Sequence, residues 1–246
     1  MHRADKGRAN SLKETARMQP TISTPDNKQE LHPQLHTTSL RFKPGQMIFD
    51  EGQKANRWYE VVRGTVRTCR FHIDGHRHLT GFYFGGDVFG ADYGYYNTAA
   101  EAVTNATVRC YRVGELSQQS PSTNFSFGGA ASILYRAMSS AQRYLFIMGH
   151  RTALEKLAAF LLSIYIQDSD DTSLNLPMSR ADIADFLGLT VHTVSRSFSE
   201  LVRREYIKIE GRHVVVVKDC AGLCRLAGEH ELLANECEPK PTHSLA

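Results

Sequence analysis

Between residues 127 and 148 the apolar side chains Phe127, Ala131, Leu134, Met138, Ala141, Leu145 and Met148 step by 4, 3, 4, 3, 4, 3. That is a 3.5-residue period held for about three heptads, and it requires a helix with one continuous apolar stripe. Such a stripe needs a cover. Either the helix lies on a domain of its own chain, or it pairs with the same helix of a second copy. The small Ala131 and Ala141 within the stripe let two helices approach closely, so the segment reads as a dimerisation helix over 125–150.

The texture upstream is different. Residues 1–35 are polar, free of Phe, Trp and Tyr, and read as a flexible arm. From 36 to 124 short runs rich in Val, Ile, Phe and Tyr alternate with turn signals at Pro44-Gly45, Gly52, Gly64, Asp74-Gly75, Gly85-Gly86 and Gly90. Short strands at that spacing predict an all-β sandwich or barrel.

Downstream, HRTALEKLAAFLLSIY is a second amphipathic helix, followed by the acidic stretch QDSDDTS. SRADIADFLGLTVHTVSRSFSELVRR then predicts two helices across a tight turn. Ser179 stands three residues before Asp182 as a capping pair, Gly188 supplies a stop, and Thr190 is placed to cap the second helix. That helix, from Val191 to about Arg204, has two faces. Val194, Phe198 and Leu201 are apolar and suited to pack on Ile183, Ala184 and Leu187; His192, Ser195, Arg196 and Ser199 are polar. YIKIEGRHVVVVKD follows as two strands around Glu210-Gly211-Arg212, a β wing. Helix, short turn, helix and wing over 151–246 is a winged helix-turn-helix, whose second helix enters a DNA major groove. Arg196 carries a planar fork that can take the O6 and N7 acceptors of one guanine, and Ser195 is small enough for close approach to a thymine. Thr190, Thr193, Arg180 and Arg203 are placed for phosphates, which position without specifying. The expected class is α+β, ending in a short helix and an acidic tail.

Charge and cysteine content limit the alternatives. Net charge is +4 over residues 1–43, +2 over 44–149, zero over 150–218 and −3 over 219–246, so bulk charge would not coat nucleic acid. No run of eighteen apolar residues and no apolar leader is present, which makes the cytoplasm the expected compartment and a membrane partner unexpected. Cys69, Cys110, Cys220, Cys224 and Cys237 are scattered and odd in number, as reduced thiols would be. Cys220 and Cys224 stand four apart, open to a redox pair but more simply structural. His72, His76 and His78 surround a hairpin tip at a spacing that matches no standard metal site. No G-x-S-x-G or P-loop motif occurs, so neither an enzyme nor a cofactor is expected.

PGQMIFDEG, VVRGTVR, the heptad helix, HRTALEKLAAFL and DIADFLGLTVHTVSR, in that order, resemble the CRP/FNR transcription regulators over most of 40–218. The resemblance implies an N-terminal β-roll of the cupin-like, cyclic-nucleotide-binding type. It also implies a homodimer reading palindromic double-stranded DNA, and contacts to RNA polymerase. The VSR ending at 194–196 is similar to the FNR type, so a TTGAT-N4-ATCAA target is implied. The branch most resembled is the FixK-like activators of microaerobic respiration, denitrification and nitrogen fixation. A ligand- or redox-responsive sensor acting as a repressor is the other reading.

Three departures bear on mechanism. His192 stands where the family usually has Glu, and an imidazole offers a base edge different chemistry from a carboxylate. Gly90-Ala91 and Ala99-Ala100 stand where cyclic-nucleotide binders carry Gly-Glu and Arg-Ser, so cAMP is not expected to bind. Residues 1–68 hold no cysteine, which removes the ligands of an N-terminal iron–sulfur sensor.

Overall fold

The computed structural model describes residues 38–71, 77–113, 130–167 and 173–228, the first turn of the 130–149 helix as backbone alone. Eight strands come first: β1 (Thr38–Phe42), β2 (Met47–Phe49), β3 (Arg57–Arg63), β4 (Val66–Phe71), β5 (Arg77–Tyr83), β6 (Val88–Phe89), β7 (Ala99–Ala102) and β8 (Ala106–Arg112). They form two antiparallel four-stranded sheets, ordered β1-β8-β3-β6 and β2-β7-β4-β5. This is the expected β-roll. Among the described residues, turns or bends fall on Gly45, Gly52, Gly64 and Gly85-Gly86 as read from the sequence, Asp74-Gly75 lying outside the described residues, and Gly64 shows why. Its φ is +89°, and a Cβ there would collide with the backbone oxygen of Asn105 and sit 2.8 Å from Cα of Ala106. Only glycine fits there.

The roll is filled rather than hollow. Phe49 stacks on Tyr96 at 3.8 Å and on Tyr59 at 5.5 Å between ring centres, and Tyr59 stacks on Phe89 at 5.3 Å. Val61, Val66, Ala100, Ala102 and Val108 close the cluster. Gly90 lies against this plug, where a Cβ would be 2.9 Å from the Phe49 ring.

Helix α1 (Ala130–Gly149) presents two faces. One is bolted to the roll: Arg136 donates to Glu60 Oε1 at 3.0 Å, and Arg143 donates to Asp87 Oδ1 at 3.2 Å. The other is the heptad stripe, and it is bare. Leu134, Met138 and Leu145 are 70%, 51% and 67% exposed, Ala141 is also exposed, and Met148 is half-buried. Phe127 lies outside the described residues, as do the 1–35 arm, His72, His76 and Cys237, and the Ala131 side chain is not described.

Helix α2 (Ala153–Gln167) opens on a reciprocal cap between Thr152 and Glu155. A three-residue strand, β9 (Ser173–Asn175), follows within a segment the sequence reading left without structure. Then come α3 (Arg180–Leu187), α4 (Val191–Arg203), β10 (Ile207–Glu210), β11 (Val214–Val217) and α5 (Cys220–Leu226). The wing has three strands, ordered β10-β11-β9, rather than two. No disulfide joins the described cysteines, and no described helix is long and apolar enough to cross a membrane.

The apolar residues of the helix-turn-helix do not form a core of their own. Leu157, Leu161, Ile183, Leu187, Val194, Phe198 and Leu201 belong to one buried cluster with Cys69, Leu79 and Ala99 of the roll. The sequence treats these as separate regions; the fold packs them as one body.

Candidate nucleic-acid interface

The reading surface is set by caps at each junction. Ser179 Oγ accepts from the Asp182 N–H at 3.0 Å, and Asp182 Oδ2 accepts in return from the Ser179 N–H at 3.2 Å, a complete capping box on α3. Gly188 ends α3 with φ 65°. Two residues on, Thr190 caps α4 by accepting from the Thr193 N–H at 3.2 Å. The sequence-read junctions are all in place.

Below the surface, Val194, Phe198 and Leu201 are buried, as expected from their spacing. Above it, His192, Ser195, Arg196 and Ser199 are exposed along one face of α4. Among the described residues, neither His192 nor Arg196 is tied to a carboxylate. Ser199 Oγ donates to the Ser195 carbonyl at 3.2 Å, which directs that hydroxyl back along the helix. Thr193 is half-buried, with its hydroxyl 2.8 Å from that of Thr190.

Both arginines expected at phosphates are engaged within the protein. Arg180 lies with its guanidinium carbon 3.1 Å from the centre of the Phe198 ring, a cation–π contact that ties α3 to α4. Its burial pulls the guanidinium pKa down to about 10, so it stays cationic. Arg203 is 73% exposed yet donates to Glu200 at 2.6 and 2.8 Å, and Arg204 donates to the same carboxylate at 2.7 Å. Those two donors hold the Glu200 carboxyl down at about 2. That pair uses Nε and Nη2 of Arg203 and leaves Nη1 outside it.

The structure adds two features absent from the sequence reading. Arg212 stands exposed on the wing turn beside Gly211, whose φ is 73°. Its position in the E-G-R turn was the available signal. The second is a joint between roll and helix-turn-helix. Asp182 Oδ1 accepts from Arg67 Nη1 of β4 at 2.9 Å and from Arg77 Nη2 of β5 at 2.7 Å. No sequence signal links residues 105 and 115 positions apart.

A cavity of about 360 Å³ lies between the roll, α1 and α3, lined among others by Tyr83, Asp87, Ala91, Ser140, Arg143 and Phe186. Arg143 is the one cation among its described lining residues, and it is already bonded to Asp87 Oδ1 at 3.2 Å and Ser140 Oγ at 2.9 Å. Ala99 and Ala100 are fully buried, and the Tyr83 ring lies 2.9 Å from where a Gly81 Cβ would be. Among the described lining residues the single cation is thus already paired, and Phe82, Tyr83, Phe89 and Phe186 bring aromatic rings to the wall.

A β-roll and a long amphipathic helix carrying a winged helix-turn-helix with an open polar face define a DNA-binding transcription regulator. Comparison with known proteins agrees. The family pattern "Cyclic nucleotide-binding domain" matches residues 39–118, and "Crp-like helix-turn-helix domain" matches 155–226. The chain is 34% identical over 179 residues to the nitrogen fixation regulation protein FixK of Rhizobium meliloti, covering 72% of this chain and 82% of that protein. It is 33% identical over 178 residues to the transcriptional activatory protein AadR of Rhodopseudomonas palustris, covering 69% and 73%. The solved structure of FixK2 from Bradyrhizobium japonicum superposes with a TM-score of 0.68 at 31% identity, covering 78% of this chain and 98% of that one. The chain belongs to the CRP/FNR family of transcription regulators, in its FixK-like branch.

Proposed function

We propose that the protein is a homodimeric transcription activator that reads a TTGAT-N4-ATCAA-like palindrome without cAMP. The observation that carries this is the α4 face, where Arg196 and His192 stand exposed with no carboxylate among the described residues to occupy them. Arg196 takes the O6 and N7 of a guanine, Ser195 meets a thymine, and His192 sets the preference at a third base pair. Ser199 supports the approach of the helix. Thr190, Thr193, Arg180 and Arg203 serve the phosphates, Arg203 through the Nη1 that its Glu200 pair leaves out.

The second copy supplies the cover that Leu134, Met138, Ala141 and Leu145 lack and completes that of Met148, which is half-buried against its own core, the stripe being continued by Phe127 and Ala131. It also brings a second α4 to the other half-site, one helical turn or about 34 Å away. Exposed loops of the roll and the DNA-binding region are the surfaces offered to RNA polymerase. The genes controlled belong to microaerobic respiration or nitrogen fixation, by analogy with the FixK relatives, and the protein works in the cytoplasm as a regulator and not an enzyme.

The test is fluorescence anisotropy at fixed salt on a TTGAT-N4-ATCAA duplex and a scrambled control, with and without cAMP. Selective binding indifferent to cAMP is expected. Equal binding to both duplexes removes the site assignment, and binding that needs cAMP removes effector independence. The 360 Å³ cavity favours a second reading, a ligand-responsive repressor. Native mass spectrometry showing an unliganded chain would dispose of it.

A further inference from the structure

We propose that Arg67 and Arg77 of the β-roll are positioning residues for DNA binding: by clamping the Asp182 carboxylate they hold the helix-turn-helix in the pose that presents the α4 face. The inference rests on the DNA-reading function proposed above and adds a source for its geometry.

One carboxylate performs two tasks. Asp182 Oδ2 takes the Ser179 N–H at 3.2 Å and the Ser179 hydroxyl at 2.8 Å, fixing the start of α3. Asp182 Oδ1 takes Arg67 and Arg77 at 2.9 and 2.7 Å, from two adjacent strands of the roll. Arg67 cannot swing freely, because Glu101 of β7 holds its Nε and Nη2 at 3.3 and 3.0 Å. One turn along α3, Asp185 lies 3.6 Å from Arg77 Nε and 3.9 Å from His78 Nδ1. The Asp182 and Arg67 side chains are 10% and 16% exposed. Burial alone would raise the Asp182 carboxyl pKa; the Ser179 hydrogen bonds and the two arginines win, and hold it below the usual carboxylate range.

Beside the clamp, Phe82 of β5 meets Phe186 of α3 edge-on at 5.2 Å and Phe160 of α2 at 6.1 Å. Those rings supply adhesion but little direction, since apolar faces can slide. The buried ion pairs cannot. Desolvation cancels most of their Coulombic gain, so an apolar replacement would serve stability about as well. What they add is a fixed orientation: two guanidinium donors on one oxygen of Asp182 and the Arg77–Asp185 ion pair are satisfied together at one placement of α3. Helix α4 follows α3 through Phe198, Val194 and Leu201 and through Arg180 stacked on Phe198. The held pose is a reading one because the docking uses α3 and α2 and leaves His192, Ser195, Arg196 and Ser199 uncovered.

The test uses the full-length protein and the variants Arg77→Ala, Asp182→Asn and their combination. Specific and scrambled duplex affinities are measured well below each melting temperature, alongside sedimentation mass and circular dichroism. A merely structural role lowers the melting temperature and leaves affinity at the folded plateau unchanged. The clamp predicts about a tenfold loss of specific affinity for Arg77→Ala with mass and spectrum intact, and a loss for the combination smaller than the product of the two single losses, because both act on one carboxylate. Should Asp182→Asn fail to fold, Arg77→Ala alone decides, because it leaves the α3 cap and Arg67 in place. Wild-type affinity in Arg77→Ala overturns the clamp while leaving the DNA-reading function standing. Tighter binding overturns it too, by showing that the ion pairs hold a closed pose. A wild-type protein without specific binding overturns both.

Discussion

Replacing Leu134 by Asp tests the bare stripe of α1 with little risk to the fold. Leu134 is 70% exposed and belongs to neither buried cluster, so the single chain loses no packing. In the proposed dimer the loss is large. Fully burying a Leu or Met contributes about 1.5–3 kcal/mol, so covering the exposed half to two-thirds of Leu134, Met138 and Leu145 contributes about 1–2 kcal/mol each. Over two copies that is about 6–12 kcal/mol, set against association costs of about 4–15 kcal/mol. The outer stripe residues and Tyr135 and Phe146, also exposed, supply what else a micromolar dimer needs. Leu134→Asp removes about 2–4 kcal/mol of burial across the pair and forces two carboxylates into the seam. A net cost of about 3–5 kcal/mol raises the dissociation constant by about two to three and a half orders of magnitude. Sedimentation velocity at low micromolar concentration should show a monomer with an unchanged circular dichroism spectrum and weak, half-site DNA binding. A dimer fraction equal to wild type would show that the stripe is covered by something other than a second copy.

Arg196→Ala should cost about 1–3 kcal/mol per half-site and flatten discrimination at its guanine, whereas Arg203→Ala should weaken all sequences alike. Competition binding against single-base variants of the site distinguishes them, and equal losses on specific and scrambled DNA for Arg196→Ala would refute base reading. Phe198→Ala removes a buried ring and the seat of the Arg180 guanidinium, so unfolding in urea should move by about 3–5 kcal/mol from the cavity, with about 0.5–2 kcal/mol more from the cation–π contact. A loss below about 1 kcal/mol would mean that the pocket closes on itself. The depressed Asp182 carboxyl gives a pH signature. Its stabilisation is complete above the unfolded value of about 3.9 and is lost as pH falls through the lower folded value. Wild type should therefore lose melting temperature below pH ~4 more steeply than Asp182→Asn, and parallel curves would contradict the assignment.

Legibility followed sequence distance. The helix-turn-helix could be read almost residue by residue, because Ser179 with Asp182, Gly188 with its left-handed stop, and Thr190 with Thr193 act within four positions. The turns of the roll were legible for the same reason. Its pairings were not, since β1 pairs with β8 some 70 residues away and nothing in either strand names the other. Strand β9 was missed because three residues, Ser173–Asn175, carry no period of their own and are a strand only as an edge to β11. Arg180 was legible as a phosphate candidate from its place at the start of α3, but its contact with the Phe198 ring, 18 positions on, was not. Glu200 is different. Its spacing of three and four to Arg203 and Arg204 is a helix-surface pair visible in the sequence, and it was available to qualify Arg203 from the outset.

Three buried acids carry the long-range order of the molecule, and each is met by arginine from another element. Glu60 of β3 receives Arg109 of β8, Arg136 of α1 and the Tyr111 hydroxyl, at 3.2, 3.0 and 2.8 Å. Burial, joined by the Glu60 carboxylate and opposed by Arg109, pushes that hydroxyl up to about 12, so it remains a donor. Asp87 receives Arg143 of α1, and Asp182 of α3 receives Arg67 and Arg77 of the roll. Lysine could supply the charge but not the direction, because its ammonium is a point donor while guanidinium is a planar fork. Taken in sequence, these joints run from α1 to the roll and from the roll to α3, whose caps and core then fix α4. A reader of palindromes needs its two recognition helices about 34 Å apart and in register. Spacing of that kind cannot be held by a flexible hinge at the end of the proposed dimer helix. It can be held if the roll is the rigid piece between the seam and the reading face, which gives an aromatic-filled roll a use that needs no ligand inside it.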